Sequence, residues 1–412
     1  MLLKKIAGPL LGLIFAGCIL LMLAHPASAL AAALRGLAIW WDVLFPSLFP
    51  FFVISEIMLG LGIVHLFGAL LDPLMRPLFN IPGSGGFVAA MGYVSGYPVG
   101  AKLTAKLREQ GLVNRVEGER LVAFTTSSDP IFLLGAVSVG FFHDASLGLV
   151  LALAHYGGGL IVGLLMSFHG RKEHTLSAKN QTPPSGQNSG RLRMALSSMA
   201  EARRRDGRSF GELLMGAVQS SLLLIIVVGG LVVFFTVLME LLARAGIMSA
   251  LFGLTDRILS LAGFPPELSA ALVSGLFEVT LGARSAGEAT ASIPLHFKAA
   301  AAAFILSWGG LSVHAQVASI LNGTGLRYLP FMLARLVHAF LSAGLLLLLW
   351  KPVISSGLSE HWNSLPAASG LASPASAFVS SLSLLGLLLG GALLLSLLIM
   401  LSGIAARTWR RH

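Results

Sequence analysis

The sequence predicts an all-α polytopic membrane protein with about eight transmembrane helices plus two re-entrant helical hairpins, arranged as an inverted repeat. Three observations lead there. The 412-residue chain is 55% hydrophobic and only 11% charged, with mean hydropathy +0.83. It carries repeated apolar runs of ~20 residues, the length that crosses ~30 Å of hydrocarbon. Two glycine-rich stretches interrupt those runs at matching places in the two halves.

The first span lies within residues 1–30. Lys4 and Lys5 precede an apolar stretch from Ile6 to Ala24, and HPASA follows. This imitates a secretory signal, but the stretch reads as an uncleaved first helix. Further runs cover residues 34–62, 118–142, 146–168, 211–243, 296–322, 331–350 and 377–405. The lone cysteine, Cys18, falls in the first run and excludes an intrachain disulfide.

Residues 169–210 are polar and strongly basic, and their middle, KNQTPPSGQNSG, has linker chemistry. By the positive-inside rule this loop is cytoplasmic, as is the tail RTWRRH that ends the C-terminal helix unit 377–412. Residues 351–376, poor in charge, suit an external loop. The net charge of +10 gathers in such short loops, as orientation signals do. The expected partner of these bases is therefore the lipid bilayer, not nucleic acid. Both termini are read as cytoplasmic.

Residues 83–111 and 264–291 are too broken to span, and a single crossing at either would invert every later loop. They read as hairpins that enter and leave on one side, which lipid tolerates only where broken backbone is buried or lines an aqueous cavity. Each belongs to one repeat, 31–168 or 211–350. The repeats align Leu66-Phe67-Gly68 with Leu251-Phe252-Gly253, Asp72 with Asp256, and Pro82 with Pro265. They also align Gly100-Ala101-Lys102 with Gly282-Ala283-Arg284, and Ala123-Phe124 and Ser127 with Ala303-Phe304 and Ser307. Opposite orientation of the two copies around discontinuous helices is a secondary-transporter signature.

The broken stretches supply the candidate solute-binding residues. In SGYPVGAK, Gly96, Pro98 and Gly100 interrupt the helix beside Ser95, Tyr97 and Lys102. In GLFEVTLGARSAGE the break is expected at Gly282, near Thr280, Arg284 and Ser285. The next span of each repeat adds Thr126, Ser127 and Ser128, then Ser307, Ser312 and Gln316. Lys102 and Arg284, one per hairpin, would attract a small anionic solute; the competing reading has them snorkelling or paired with acids. Asp129, Glu278 and His314 are candidates for a coupling proton or sodium ion, with ion pairing or simple burial as the alternatives. His155 reads as a packed imidazole.

The sequence has no HExxH, Cys-x-x-Cys, phosphate loop or Gly-x-Ser-x-Gly elbow, so no enzyme, metal site or cofactor is expected. An oligomer is compatible with it, as is a monomer.

At SGYPVGAK and ERLVAFTTSSDPIFLLGAVSVG the chain resembles the YlbJ family of sporulation integral membrane proteins, also called stage V sporulation protein SpoVV, whose members carry nucleoside-recognition Gate domains. The likeness covers roughly residues 34–350 and is weaker in the second half, at GLFEVTLGARSA and SWGGLSVHAQ. The order of hairpins and unwound spans is also similar to that of concentrative nucleoside transporters. The resemblance implies transport of dipicolinic acid, a pyridine dicarboxylate, across the outer forespore membrane of a bacterial cell. The alternatives are a nucleoside carrier and a non-transporting scaffold or sensor of a sporulation complex. Cations at the hairpins, where nucleoside transporters carry acids and amides, count against nucleosides.

Overall fold

The computed structural model describes residues 2–170 and 191–355, and every described element is helical. Helix α1 (Leu2–Ala24) turns through 107° into α2 (Pro26–Ile39), which passes a π-helical turn at Trp40–Leu44 into α3 (Phe45–Gly60). Pro46 and Pro50 remove two amide donors from α3, leaving the 34–62 run without one regular helix through its length.

Next come α4 (Ile63–Phe79), α5 (Ser84–Ser95), α6 (Tyr97–Glu109) and α7 (Arg115–Thr125). A π-helical segment (Ile131–Phe141) and α8 (Leu147–Met166) complete the first half. After α9 (Arg191–Asp206) the second half holds α10 (Phe210–Arg244), α11 (Ile247–Leu261), α12 (Ser269–Phe277), α13 (Val279–Gly287), α14 (Leu295–Trp308), α15 (Gly310–Leu321) and α16 (Tyr328–Ser355).

Among the described residues four stretches are long and apolar enough to cross a membrane, Leu147–Met166, Phe210–Arg244, Leu295–Leu321 and Tyr328–Ile354, and the bent pair of α1 and α2 makes a fifth. The 118–142 run is split by its own break, and the expected 377–405 span lies outside the described residues, as does the loop 356–376.

KNQTPPSGQNSG, read as a linker, lies outside the described residues; after it, Arg191–Asp206 is a helix packed on α4. At its end the Arg208 guanidinium, hydrogen-bonded to Asp206 at 2.7 Å, holds that carboxyl below the usual range.

Local signals fix where helices begin. Asn114 and Glu117 form a capping box at α7, as do Ser209 and Glu212 at α10; each is worth ~1 kcal/mol. Packing then relies on small residues. Ala299 to Ala303 are all buried on α14, so α16 can approach closely, as helices in lipid require. Fully buried Arg120 donates to the carbonyls of Asn80 (2.6 Å) and His169 (3.0 Å), closing the ends of α4 and α8. Its neighbour Glu119 accepts from Arg327 and His169, joining α7 to α16 and α8.

The hairpins are α5–α6 and α12–α13. In the second, the break sits at Glu278, whose backbone is extended, and not at Gly282. Gly282 is helical, and a Cβ there would lie 2.3 Å from Gly275 Cα. Gly100 plays the same part in the first hairpin, where a Cβ would lie 2.4 Å from Thr125 O. Both glycines are needed for close approach.

Gly282→Val is therefore expected to destabilise the protein by ~1–3 kcal/mol through overpacking. Gly253→Ala, which meets nothing within 4 Å, should be neutral. Thermal unfolding of the two purified variants in detergent checks the difference.

Candidate solute chamber

Four interruptions converge at the middle of the molecule. Gly96 separates α5 from α6 with φ +87° and ψ −177°, a conformation only glycine adopts without strain. Between α7 and the π-helical segment, Thr126 is extended and the helix resumes only after Pro130. Glu278 separates α12 from α13. Gly309 and Gly310, both at positive φ, turn the chain between α14 and α15.

A narrow cavity of about 40 Å³ opens where these breaks meet. Tyr97, Pro98, Asp129, Phe132, Glu278, Val279, Thr280, Ser312, Val313 and Gln316 line it. All but Gln316 belong to a break or to the first turn of the helix that follows one. Four helix N-termini, those of α6, the π-helical segment, α13 and α15, thus contribute to a single wall. Each carries roughly half a positive charge. The remaining wall is apolar: Leu44 just before α3, Leu48 of α3, and Val228 and Val232 of α10.

Two carboxylates cap those N-termini. Asp129 Oδ1 accepts from Phe132 N at 2.8 Å, and Glu278 Oε2 accepts from Leu281 N at 2.7 Å. Both side chains are buried, and both sit three residues before the amide they cap. The Ser312 hydroxyl, 1% exposed, lines the cavity with no hydrogen-bond partner among the described residues.

The expected cations are absent from this wall. Lys102 pairs with Glu56 of α3 at 3.1 Å, and Lys106 meets the same carboxylate. Arg284 pairs with Glu288 at 2.8 Å, with 59% of its side chain exposed. The reason is helical phase. Five residues after Tyr97 or Val279, a side chain has turned about 140° around its helix away from the first. Ser285 is half-buried outside the cavity lining, and Gly100 and Gly282 serve packing.

Behind the chamber lies a buried polar cluster. Tyr97 donates its hydroxyl to Leu306 O at 2.6 Å, and Thr126 bonds back to Val122 O. Ser127 and Ser307, aligned between the repeats, both meet His155, at Nε2 and Nδ1 respectively, each at 2.8 Å. Ser128 N donates to the same Nε2, so the imidazole proton resides on Nδ1. Thus His155 joins the two broken spans. His314 is held between Tyr328 Oη and Trp308 O, apart from the cavity lining. Ser95 is fully buried behind Gly96. Arg335 and His338 of α16 also enter this cluster. The sequence reading passes over them, although a charge inside the apolar run 331–350 is itself a signal.

The family model for nucleoside recognition, Gate, matches residues 42–199 and 225–324. The chain belongs to the Gate family. It is 44% identical over 335 residues to the sporulation integral membrane protein YlbJ of Bacillus subtilis (strain 168), covering 81% of each chain. The Gate match takes in both hairpins and all four breaks, and it ends before α16 begins.

Because one imidazole receives both aligned serines, Ser127→Ala and Ser307→Ala should be non-additive, with a coupling of ~0.5–3 kcal/mol in a double-mutant cycle. Arg284→Ala should change stability by less than ~0.5 kcal/mol. Chemical or thermal denaturation of the detergent-purified variants measures both.

Proposed function

We propose that this Gate-family protein is a secondary transporter that carries a small solute through the chamber where the four breaks meet. Its two halves act as inverted repeats, and it is a carrier with no enzymatic activity or cofactor. The observation that carries the reading is the convergence of four helix N-termini on one cavity among apolar helices. Broken backbone is tolerated there only around a buried or water-filled pathway. The similarity to YlbJ supports a sporulating cell as the setting, the resemblance at SGYPVGAK supports dipicolinate as solute and the outer forespore membrane as location, and the basic loop and tail support cytoplasmic termini.

For an anionic dicarboxylate the attraction comes from helix N-termini, with Ser312, Thr280, Gln316 and the backbone around Gly96 and Pro98 as the polar contacts. Asp129 and Glu278 occupy those N-termini when the chamber is empty. At ~4 Å two like charges repel by ~4 kcal/mol even at an effective dielectric constant of 20, so a dianion enters only as the caps are neutralised. Loading then takes up protons, which makes Asp129 and Glu278 the proton-coupling pair. Release reverses it. The hairpin-bearing part moves against the apolar wall of α3 and α10 in an elevator-like or rocking step.

A nucleoside is the second reading, and the same two acids with Gln316 favour it, because carboxylates and amides accept and donate to sugar hydroxyls. The cations that counted against it, Lys102 and Arg284, lie outside the chamber lining.

Labelled dipicolinate uptake into proteoliposomes separates these. Under the first reading uptake is saturable and rises as external pH falls. Asp129→Asn and Glu278→Gln bind dipicolinate about tenfold more tightly, ~1.4 kcal/mol, and lose the pH dependence. Under the second, nucleosides compete and both variants bind them more weakly. Saturable uptake of neither solute overturns the carrier reading.

A further inference from the structure

The breaks that point four helix N-termini at the chamber also leave helix C-termini to be satisfied. Where α7 and α14 stop, carbonyls of their last turns lose their intrahelical donors. In lipid such groups need a cation or a strong donor, and broken-helix carriers commonly use a bound ion there. Here Arg335 Nη1 donates to Thr126 O at 2.6 Å, and Nη2 approaches Leu306 O at 3.5 Å. The guanidinium lies 6.0 Å from the Tyr97 ring, and Tyr97 lies between it and the chamber by lining the cavity while bonding Leu306 O.

Three features distinguish this from an ordinary buried ion pair. Arg335 is fully buried, and no carboxylate pairs with it among the described residues. Its charge faces two helix C-termini, each worth roughly half a negative charge, so one guanidinium balances the two. It also sets the direction of the cluster. A guanidinium only donates, so His338 Nδ1 accepts from Arg335 at 2.9 Å and His338 Nε2 donates to His155 O at 2.7 Å.

We infer that Arg335 is a resident cation, built into the chain at the point where the ends of the two broken spans would otherwise need a bound alkali ion. It is a positioning residue that acts through Thr126, Leu306 and the histidines. The consequence is a chamber held in shape without sodium. The inference depends on the breaks and not on which solute the chamber takes, so it is tested by a readout that uses no solute.

The test is thermal unfolding of the full-length protein in detergent, in sodium chloride or choline chloride at equal ionic strength, with millimolar guanidinium as a third arm. The wild-type midpoint should be the same in sodium and choline. Arg335→Ala should unfold several degrees lower in choline and regain much of the loss in sodium or guanidinium. If the alanine variant is not recovered folded, Arg335→Gln keeps donors without charge and should show the same cation response. A wild-type protein stabilised specifically by sodium overturns the inference. So does a folded variant, Ala or Gln, that is indifferent to all three cations. Failure of dipicolinate or nucleoside uptake would leave these midpoints unchanged, so the two readings fail separately.

Discussion

Each helix break at membrane depth exposes backbone donors on one side and acceptors on the other, and water is not there to satisfy them. That constraint organises the centre of this protein. An unsatisfied group in hydrocarbon costs several kcal/mol, so every break needs a partner of the right polarity. The helices that restart supply N–H groups, and Asp129 and Glu278 cap two of them. The helices that stop supply carbonyls, to which Arg335 and the Tyr97 hydroxyl donate. Helix polarity thereby sorts charge: acids on the chamber side, the cation behind Tyr97.

The two halves meet this demand with the same parts in exchanged positions. In the first half the hairpin supplies glycine and the broken span supplies the acid: a Cβ on Gly96 would come within 3.1 Å of Asp129 Oδ2. In the second half the hairpin supplies the acid and the span the glycine: a Cβ on Gly310 would come within 3.1 Å of Glu278 Cα. One carboxylate fits at each crossing because a residue without a side chain stands opposite. His155 then ties the crossings together through Ser127 and Ser307.

How far the sequence discloses this depends on what each residue type can mean. Gly96-Tyr97-Pro98 and TTSSDP announce their breaks, since proline lacks a donor and neither stretch can continue a helix cleanly. The break at Glu278 carries no such mark. Its neighbours Phe277 and Val279 are ordinary helix residues, and the extended backbone is set by tertiary packing against Gly310. Gly282 misleads because glycine serves close approach as readily as bending. Lys102 and Arg284 mislead because sequence proximity to a break says nothing about phase around the helix. Arg335 is legible as a charge in an apolar run, but its partners are main-chain carbonyls, which no side-chain pattern can reveal.

The same arrangement limits which parts can move in the proposed cycle. The broken spans are joined by His155 and by Arg335 of α16, and the hairpins pack on them where Gly100 meets Thr125 and Gly275 meets Ile305, so these elements form one body in that cycle. The wall opposite is a second body. There Arg35 of α2 pairs with Glu240 of α10 at 2.9 Å, and Trp40 donates to Ile225 O at 2.9 Å. The chamber surface between the two bodies is apolar on the wall side, with Leu48, Val228 and Val232. One polar tether is Glu56 of α3, held by Lys102 and Lys106 of α6. Hairpin one can slide past α3 only if that pairing opens, whereas Arg284 in hairpin two bonds Glu288 in its own segment and imposes no such restraint. A cation expected to hold solute is thus placed to hold the resting position of the hairpin against the wall.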